Sequence, residues 1–426
     1  MKVFVLDTNK QPRDPVHPAR ARHLLHSRQA AVWRLAPFTI ILQAVSAAAD
    51  PAPLRLKIDP GSRTTGLALV DDAHGAVVFA AELHHRGRAI KRALDARRAV
   101  RRSRRTRKTR HRAPRFRNRR RLAGWLPPSL ASRVANVLTW VARLRRLAPI
   151  TALSMELVRF DTQQMQDAEI RGVVYQQGTL AGYEVREYLL EKWHRRCAYC
   201  GATGLPLEIE HIVPRSRGGS DRVSNLTLAC HDCNERKGTM TAAECGHPQI
   251  QAQARQPLKD TAVVNTTRWT LYRVLQSTGL PVETGSGGLT KFNRTRQALP
   301  KTHWLDAACV GRSTPAGLAV SGVRVLGITA TGHGNRQLCG TNKYGFPIRH
   351  RTRRKWHHGL ATGDLVRAVV PAGKHAGVHV GRVAVRASGS CRVGSADGIS
   401  HKYLRRLQRG DGYAYSLQGG AAPPPR

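Results

Sequence analysis

Two Cys-x-x-Cys pairs constrain this chain more than any other feature of its sequence. The first pair is Cys197 and Cys200, and the second is Cys230 and Cys233. Four thiolates at this spacing can bind one tetrahedral Zn²⁺ ion, which closes the residues between the pairs into a small domain. The chain has eight cysteines, and the grouping of four of them argues for metal ligands rather than a disulfide framework. We therefore predict a structural zinc site at these residues.

The segment between and after the pairs resembles the HNH endonuclease pattern. It reads LEIEHIVPRSRGGSDRVSNLTLAC and then HDCNERKG. Phosphodiester hydrolysis needs a base to deprotonate water and a metal ion to bear charge on the oxygens. The resemblance implies that His211 is the general base and that Glu210 and Asn234 bind Mg²⁺. It also implies that Asn225 braces the loop that orients the histidine.

Two positions depart from the common HNH pattern. Glu210 stands where Asp is common, and Asn234 stands where other members have the last His. Both substitutes keep an oxygen or nitrogen ligand, so an active site remains the favoured interpretation. The alternative is a purely structural zinc ribbon, which would need the cysteines alone.

The stretch LRLKIDPGSRTTGLALV, from Leu54 to Val70, predicts two strands of a meander. Apolar and polar residues alternate up to Asp59, the period of a strand with two unlike faces. After a polar turn the chain is apolar again, and Val77–Leu83 predicts a third strand. An Asp before Pro-Gly is more often a turn residue. Here, however, Asp59 ends a predicted strand, and the stretch resembles the start of an RNase H-like nuclease of the RuvC type. In those nucleases the aspartate at this position is the first metal-binding residue.

Two later segments supply partners for Asp59. Ile150–Leu157 predicts a buried strand that carries Glu156 near its end, and a carboxylate there is costly unless it pairs or binds metal. An exposed glutamate at the strand end is an equally good interpretation. In KTHWLDAACVG, His303 and Asp306 share a helix face at i and i+3. Together the four side chains suit two Mg²⁺ ions about 4 Å apart, clamping the attacking and leaving oxygens.

The charge of the chain indicates a polyanionic partner. Lys and Arg number 71 against 27 Asp and Glu, a formal net charge of +44, so nucleic acid is the leading inference. No apolar run approaches the roughly 20 residues that span a membrane. The N-terminal MKVFVLDTNK has too short an apolar run for a secretory signal peptide, and we expect a cytoplasmic protein.

Residues 86–121 form the most basic segment. A disordered basic tail is the usual interpretation of such runs, but this one lies between structured regions and lacks Pro and Gly from Ala89 to Arg112. We predict an arginine-rich helix that folds on a phosphate backbone. Its candidate nucleic-acid contacts are Arg97, Arg98, Arg101, Arg102, Arg104, Arg105 and Arg107.

The remaining segments are assigned more coarsely. Ser129–Arg146 predicts an amphipathic helix. The leading module is expected to contain a strand at Val3–Leu6, a helix at Ala19–Gln29 and a strand at Val32–Leu42 interrupted at Pro37. The polar, Gln-rich segments Gln163–Gly182 and Glu244–Asp260 are interpreted as linkers on either side of the cysteine pairs.

The C-terminal region combines a basic, aromatic segment with short strands. NKYGFPIRHRTRRKWHHG suits phosphate and stacking contacts. Strands at Val366–Val370, Val378–Val385 and Tyr413–Leu417 suggest a small β-barrel. We expect this unit to read a short target-adjacent motif, with candidate contacts at Arg349, Arg351, Arg353 and Arg354.

In their order, these segments resemble the IscB family of transposon-encoded RNA-guided nucleases, relatives of the type II CRISPR effectors. LRLKIDPGSRTTGLALV, SMELVRFD, EHIVPRSRGGS and KTHWLDAACV fall in family order. The resemblance implies a multidomain α/β protein with a split RuvC core, an inserted zinc-stapled ββα-metal HNH domain, a bridge helix and a small C-terminal β-rich domain. The implied division is 1–53 PLMP-like module, 54–85 RuvC part I, 86–124 bridge helix, 125–162 RuvC part II, 163–260 HNH domain with linkers, 261–335 RuvC part III, 336–418 target-adjacent-motif domain, and 419–426 disordered tail.

The resemblance also implies a function. A monomeric protein would bind a long structured noncoding guide RNA and cut double-stranded DNA beside a short flanking motif, in the prokaryotic cytoplasm and at the nucleoid when bound to its target. The HNH site would cut the guide-paired strand and the RuvC site the displaced strand. Two alternatives remain open: an RNA-independent homing-type HNH endonuclease, and a nuclease-inactive nucleic-acid-binding accessory protein of a transposon.

Overall fold

The computed structural model describes residues 2–44, 50–106, 125–157, 186, 189–190, 192–255, 261–333, 338–344 and 346–418. The helices are α1 Pro18–His26, α2 Gly87–Thr106, α3 Pro128–Arg145, α4 His231–Lys237, α5 Gln249–Arg255, α6 Thr261–Gln276, α7 Gly287–Thr295 and α8 His303–Ala308. The strands are β1 Val3–Leu6, β2 Pro12–Val16, β3 Ala30–Arg34, β4 Thr39–Leu42, β5 Leu54–Asp59, β6 Thr64–Asp71, β7 Ala76–His84, β8 Ile150–Glu156, β9 Leu207–His211, β10 Leu226–Cys230, β11 Val282–Gly285, β12 Val325–Ala330, β13 Cys339–Thr341, β14 Pro347–His350, β15 Trp356–His357, β16 Leu360–Ala361, β17 Leu365–Val370, β18 Gly377–Val385, β19 Ser390–Val393, β20 Ala396–Ser400, β21 Leu404–Gln408 and β22 Tyr413–Gln418.

A seven-stranded sheet organises the chain, in the order β11-β8-β5-β6-β7-β12-β22. β5, β6 and β7 form the antiparallel meander that the sequence predicts. β8 runs parallel to β5, β11 parallel to β8, and β12 parallel to β7. The sequence pattern did not identify β11 or β12. Because β5 and β8 are parallel neighbours, their C-terminal ends lie at the same edge of the sheet.

Helices cover both faces of this sheet. Leu56 and Ile58 of β5 point to one face, where they join the core formed with Trp140 and Leu144 of α3. Leu305 of α8 belongs to the core on the opposite face. α3 begins and ends within one residue of its predicted bounds. No helix in the described part of the chain is long and apolar enough to cross a membrane.

The cysteine pairs lie in a small ββα domain with its own core. β9 and β10 form an antiparallel hairpin, and α4 follows β10 directly. The interpretation of Glu244–Asp260 as a linker is wrong for part of that segment. Residues 249–255 form α5, whose Ile250 and Ala254 are buried in the core of this domain. Apolar residues spaced four apart let this Gln-rich helix pack. The other expected linker lies outside the described residues.

The C-terminal strands divide between two sheets. β17 to β21 form an antiparallel sheet in the order β20-β19-β18-β17-β21, with Val366, Cys391 and Ile399 in its core. The assignment of Tyr413–Leu417 to the same small barrel is wrong, because β22 pairs antiparallel with β12 in the central sheet. The last described strand therefore ties the C-terminal region to the central sheet.

The N-terminal module and α2 differ in detail from the sequence expectation. β1 has its predicted bounds, but the expected strand at Val32–Leu42 is two antiparallel strands, β3 and β4, joined by a turn at Pro37. In α2 the described helix ends at Thr106. Arg107 and the rest of the basic segment up to residue 124 lie outside the described residues.

Candidate catalytic and metal centres

Four side chains from three distant segments meet at the C-terminal edge of the central sheet. Asp59 is the last residue of β5, and Glu156 is the last residue of the adjacent β8. α8 begins above this edge with His303, whose Nδ1 lies 3.9 Å from Oδ2 of Asp59. Asp306 is close enough for its charge to act on Glu156. We call these four residues the carboxylate site.

Close packing of α8 on β6 creates this arrangement. A Cβ added to Gly66, which pairs with Asp59 across β5 and β6, would lie 1.8 Å from the carbonyl oxygen of His303. Only glycine therefore permits this approach of helix to strand. Beyond α8, buried Lys57 of β5 donates from Nζ to the carbonyl of Val310 at 2.9 Å, and burial lowers the pKa of Lys57 to about 8.

Burial and crowding of like charges set the ionisation of the carboxylate site. Burial raises the pKa of Glu156 to about 7; the charge of Asp59 adds to this increase and Arg268 opposes it. Burial, followed by the charge of Asp59, also raises the pKa of Asp306. The pKa of His303 is raised by its interaction with Asp59. A divalent cation would relieve the repulsion among these carboxylates.

Two arginines that the sequence analysis did not single out partly neutralise the site. Arg268 of α6 lies 3.1 Å from Glu156, and Arg294 of α7 lies 2.8 Å from Asp306. No sequence motif marks them, since each is one arginine among many in a basic chain. The carboxylate oxygens of Asp59, Glu156 and Asp306 are hard donors that fit Mg²⁺. His303 adds one nitrogen donor.

The four cysteines form a compact zinc-type cluster. Their sulfur atoms lie within 4.8 Å of one another, and in the described part of the chain no other group of three or more His, Cys, Asp or Glu side chains is this compact. Tetrahedral thiolate donors fit Zn²⁺, and the cluster agrees with the predicted ligands Cys197, Cys200, Cys230 and Cys233.

His211, the last residue of β9, is held in place by the carboxylate of Asp221. Its Nε2 lies 2.7 Å from Oδ1 of Asp221. Arg215 donates to both oxygens of the same carboxylate, at 2.9 and 2.6 Å. These bonds lower the pKa of Asp221. An imidazole oriented by a carboxylate is the arrangement that a general base requires.

Asn225 makes the contacts of a loop brace. Its Oδ1 accepts from the backbone nitrogen of Val213, and its Nδ2 donates to the carbonyls of Val213 and Ser220, all at 2.9 Å. The backbone nitrogen of Ile212 also donates to the carbonyl of Asn225. The loop that follows His211 is therefore tied at both ends to one asparagine.

The two acidic residues before His211 have different surroundings. Glu210 is buried, accepts a 2.6 Å hydrogen bond from Tyr199 and pairs with buried Lys237 at 2.5 Å. Glu208 instead accepts from Nδ2 of Asn234 at 2.7 Å. Glu208 is half exposed, so in this structure Asn234 shares a solvent-accessible oxygen site with Glu208. Glu210 contributes to the interior of the domain.

The predicted nucleic-acid contacts lie on exposed basic surfaces. In α2 most of the candidate arginines are exposed, and Arg104 donates to Oγ1 of Thr341 at 3.4 Å across a cleft between α2 and β13. In the C-terminal region the candidates are also exposed: Arg349, Arg351, Arg353 and Arg354.

Two family models match the chain. The RRXRR protein model covers residues 3–178, and the HNH endonuclease model covers residues 197–239. The chain contains an HNH endonuclease domain. Its matched region includes the cysteine cluster, the hairpin and α4, so the ββα geometry described above is that of the HNH domain.

Solved structures show a distant similarity. Streptococcus thermophilus Cas9 in complex with the AGAA PAM is 13% identical over 60% of this chain and 32% of that chain, with a TM-score of 0.24. The type II-C Cas9 of Actinomyces naeslundii is 18% identical over 42% of this chain and 29% of that chain, with a TM-score of 0.16. The matched part spans about a third of each Cas9 chain, and these scores support no conclusion about the fold. No curated protein matches the chain.

Proposed function

We propose that this protein is an RNA-guided DNA endonuclease of the IscB type. One observation supports this proposal most directly. Asp59, Glu156, His303 and Asp306 lie together at one edge of the sheet, in a chain that also contains an HNH domain. The strand order β7-β6-β5-β8-β11 fits an RNase H-like core and supports the RuvC assignment. Two nuclease sites in one chain suit the cutting of both strands of a duplex.

In the HNH domain we assign proton transfer to His211. Asp221 orients its imidazole, and the charge of Asp221 stabilises the imidazolium that forms when the histidine takes a proton from water. Asn234 and Glu208, the exposed carboxylate that it contacts, would hold Mg²⁺, which when bound stabilises negative charge on the phosphate oxygens. The expected ligand Glu210 is instead buried against Lys237. Asn225 keeps the histidine loop in one conformation throughout.

In the carboxylate site the protein contributes oxygen ligands and one imidazole. Asp59, Glu156 and Asp306 would hold the Mg²⁺ ions. His303 is half exposed and lies beside Asp59, so it can exchange a proton with an attacking water. We assign the guide-paired strand to the HNH site and the displaced strand to the carboxylate site.

The exposed arginines of α2 support a nucleic-acid partner, which we propose is a long structured guide RNA. The first experiment is purification of the protein from cells that carry its native flanking DNA, followed by sequencing of the RNA that copurifies. A single long RNA with one variable end supports guidance. A smear of cellular fragments would favour the homing-type nuclease or the binding protein.

Strand-resolved cleavage tests the two sites. With a duplex labelled differently on each strand, we expect Asp59→Ala to abolish cutting of one strand and His211→Ala to abolish cutting of the other. Asp95→Asn, an exposed carboxylate on α2, is the matched control. If a variant that combines Asp59→Ala and His211→Ala still cuts both strands, the site assignment is wrong.

A further inference from the structure

One guanidinium group joins the ends of the two strands that carry Asp59 and Glu156. Nε of Arg268 donates to the carbonyl oxygen of Pro60 at 3.2 Å, and Nη2 lies 3.1 Å from Oε1 of Glu156. Pro60 directly follows Asp59 in the chain. Arg268 thus connects the backbone beside one carboxylate to the side chain of the other.

Packing of α6 fixes where this guanidinium points. Leu271 and Leu275, three and seven residues after Arg268, are buried in the same core as α3. Residues at these spacings share one helix face. The side chains of Arg268 and Glu156 are each 12% exposed, so the contact is largely sheltered from water.

Charge alone does not explain an arginine at this position. A buried ion pair contributes little net stability compared with an apolar pair of the same shape. A positive charge beside a cation site also disfavours binding of the cation. A planar guanidinium with two fixed contacts does, however, set geometry.

We propose that Arg268 is a positioning residue of the carboxylate site. It fixes the Glu156 carboxylate relative to the end of β5 and thereby sets the separation between two ligands of the metal ions. This inference rests on the proposed function, in which Asp59 and Glu156 bind divalent metal. Arg294 contacts Asp306 and the carbonyl of Leu299, both on the α7–α8 side of the site, and joins no two strands.

The test is Mn²⁺ binding to the full chain, measured by electron paramagnetic resonance of the free ion. Binding that disappears in Asp59→Ala is assigned to the carboxylate site. We compare Arg268→Gln and Arg268→Lys, with Arg273→Gln, an exposed arginine on the same helix, as the control. Loss of an outer-shell partner weakens metal binding by about 10- to 100-fold, and we expect this loss in both Arg268 variants and no change in the control.

Each other outcome overturns the inference. If Arg268→Gln binds Mn²⁺ more tightly and Arg268→Lys binds it as the unchanged protein does, Arg268 acts through charge alone. If neither variant changes the affinity, Arg268 does not position the ligand. Should Arg268→Gln fail to fold, the Lys variant, which keeps the charge beside Glu156, decides alone. If Asp59→Ala leaves all Mn²⁺ binding intact, the proposed metal site itself fails, and the inference fails with it.

Discussion

At the scale of single residues, Glu156 is the group whose chemistry depends most on its surroundings. The sequence left it equally well explained as an exposed strand-end glutamate. In the structure its side chain is only 12% exposed, lies beside Asp59, and is paired with Arg268. Only the neighbours brought by folding distinguish these interpretations, because a lone glutamate after an apolar run has the same local pattern in both.

The raised pKa of Glu156 predicts a pH-dependent effect on stability. Below about pH 4.5 the carboxyl is protonated in both folded and unfolded states, so it contributes nothing. Between 4.5 and about 7 the unfolded state loses its proton first, and the folded state is destabilised progressively. We therefore expect Glu156→Gln to be neutral at pH 4 and stabilising by roughly 3 kcal/mol above pH 7, measured by urea unfolding without added divalent ions.

The control for this prediction is Asp232→Asn, which removes an exposed carboxylate on α4. It should leave stability nearly unchanged at every pH. An equal effect of Glu156→Gln at pH 4 and pH 8 would contradict the assigned pKa shift.

At the scale of elements, α8 and the HNH domain each contain one local sequence feature on which their packing depends. α8 needs Gly66 to approach β6, and in the HNH domain four clustered cysteines bring the loop before β9, the end of β10 and the start of α4 together. Both features are visible in the sequence, but only the cysteines have a spacing that indicates their structural role. A single glycine in a strand pattern does not reveal which element packs on it.

We expect Gly66→Ala to displace α8 and to separate His303 and Asp306 from Asp59. The added methyl group would overlap the carbonyl of His303, at a cost of about 1–3 kcal/mol, and cutting at the carboxylate site should be lost while HNH cutting persists. Thermal unfolding and strand-resolved cleavage check this result. Gly317→Ala, where an added Cβ meets nothing within 4 Å, should be silent; normal cutting in Gly66→Ala would refute the packing role.

We expect Cys197→Ser to remove the bound zinc and unfold the HNH domain without unfolding the central sheet. The HNH domain has a separate core, and a structural zinc site supplies much of the folding energy of a small domain. Zinc content by atomic absorption and limited proteolysis measure the two effects. Cys245→Ser, a cysteine of the same domain outside the cluster, should keep zinc. A compact, protease-resistant HNH domain in zinc-free Cys197→Ser would exclude the structural role.

At the scale of the whole molecule, Asp411 links three parts of the chain. It pairs with Arg34 of β3 at 2.8 Å and with Arg143 of α3 at 3.0 Å, and it accepts a hydrogen bond from Tyr415 of β22. Next to it, Gln408 accepts from the backbone nitrogens of residues 35 and 36. The N-terminal module, α3 and β22 therefore share one carboxylate.

We expect Asp411→Asn to loosen the N-terminal module and β22 together. Two partly buried arginines would lose their counter-charge, a cost of about 3 kcal/mol, and amide hydrogen exchange should accelerate in β3, β4 and β22. Asp397→Asn, which breaks an exposed pair with Arg386, should leave stability and amide exchange nearly unchanged, because solvent screens exposed ion pairs. Faster exchange in only one of the two regions would show that Asp411 does not couple them.

The sequence by itself determined the features that depend on local periodicity and spacing. The β5–β7 meander, the long helix α3, the zinc cysteines and the segments that carry the four residues of the carboxylate site are all of this kind. Alternation and helical spacing are properties of a few consecutive residues, so they are legible without knowledge of what packs on them.

Only the tertiary structure decided which distant elements meet. β22 alternates like the strands before it, and its pairing with β12 depends on a partner far away in the chain. Arg268 and Arg294 reach their carboxylates only because α6 and α7 pack where they do. Glu208 and Glu210 share one face of β9, and the register of α4 against that face gives Asn234 to the first and Lys237 to the second. Pairing across the chain is set by the burial of whole faces, which no short stretch of sequence specifies.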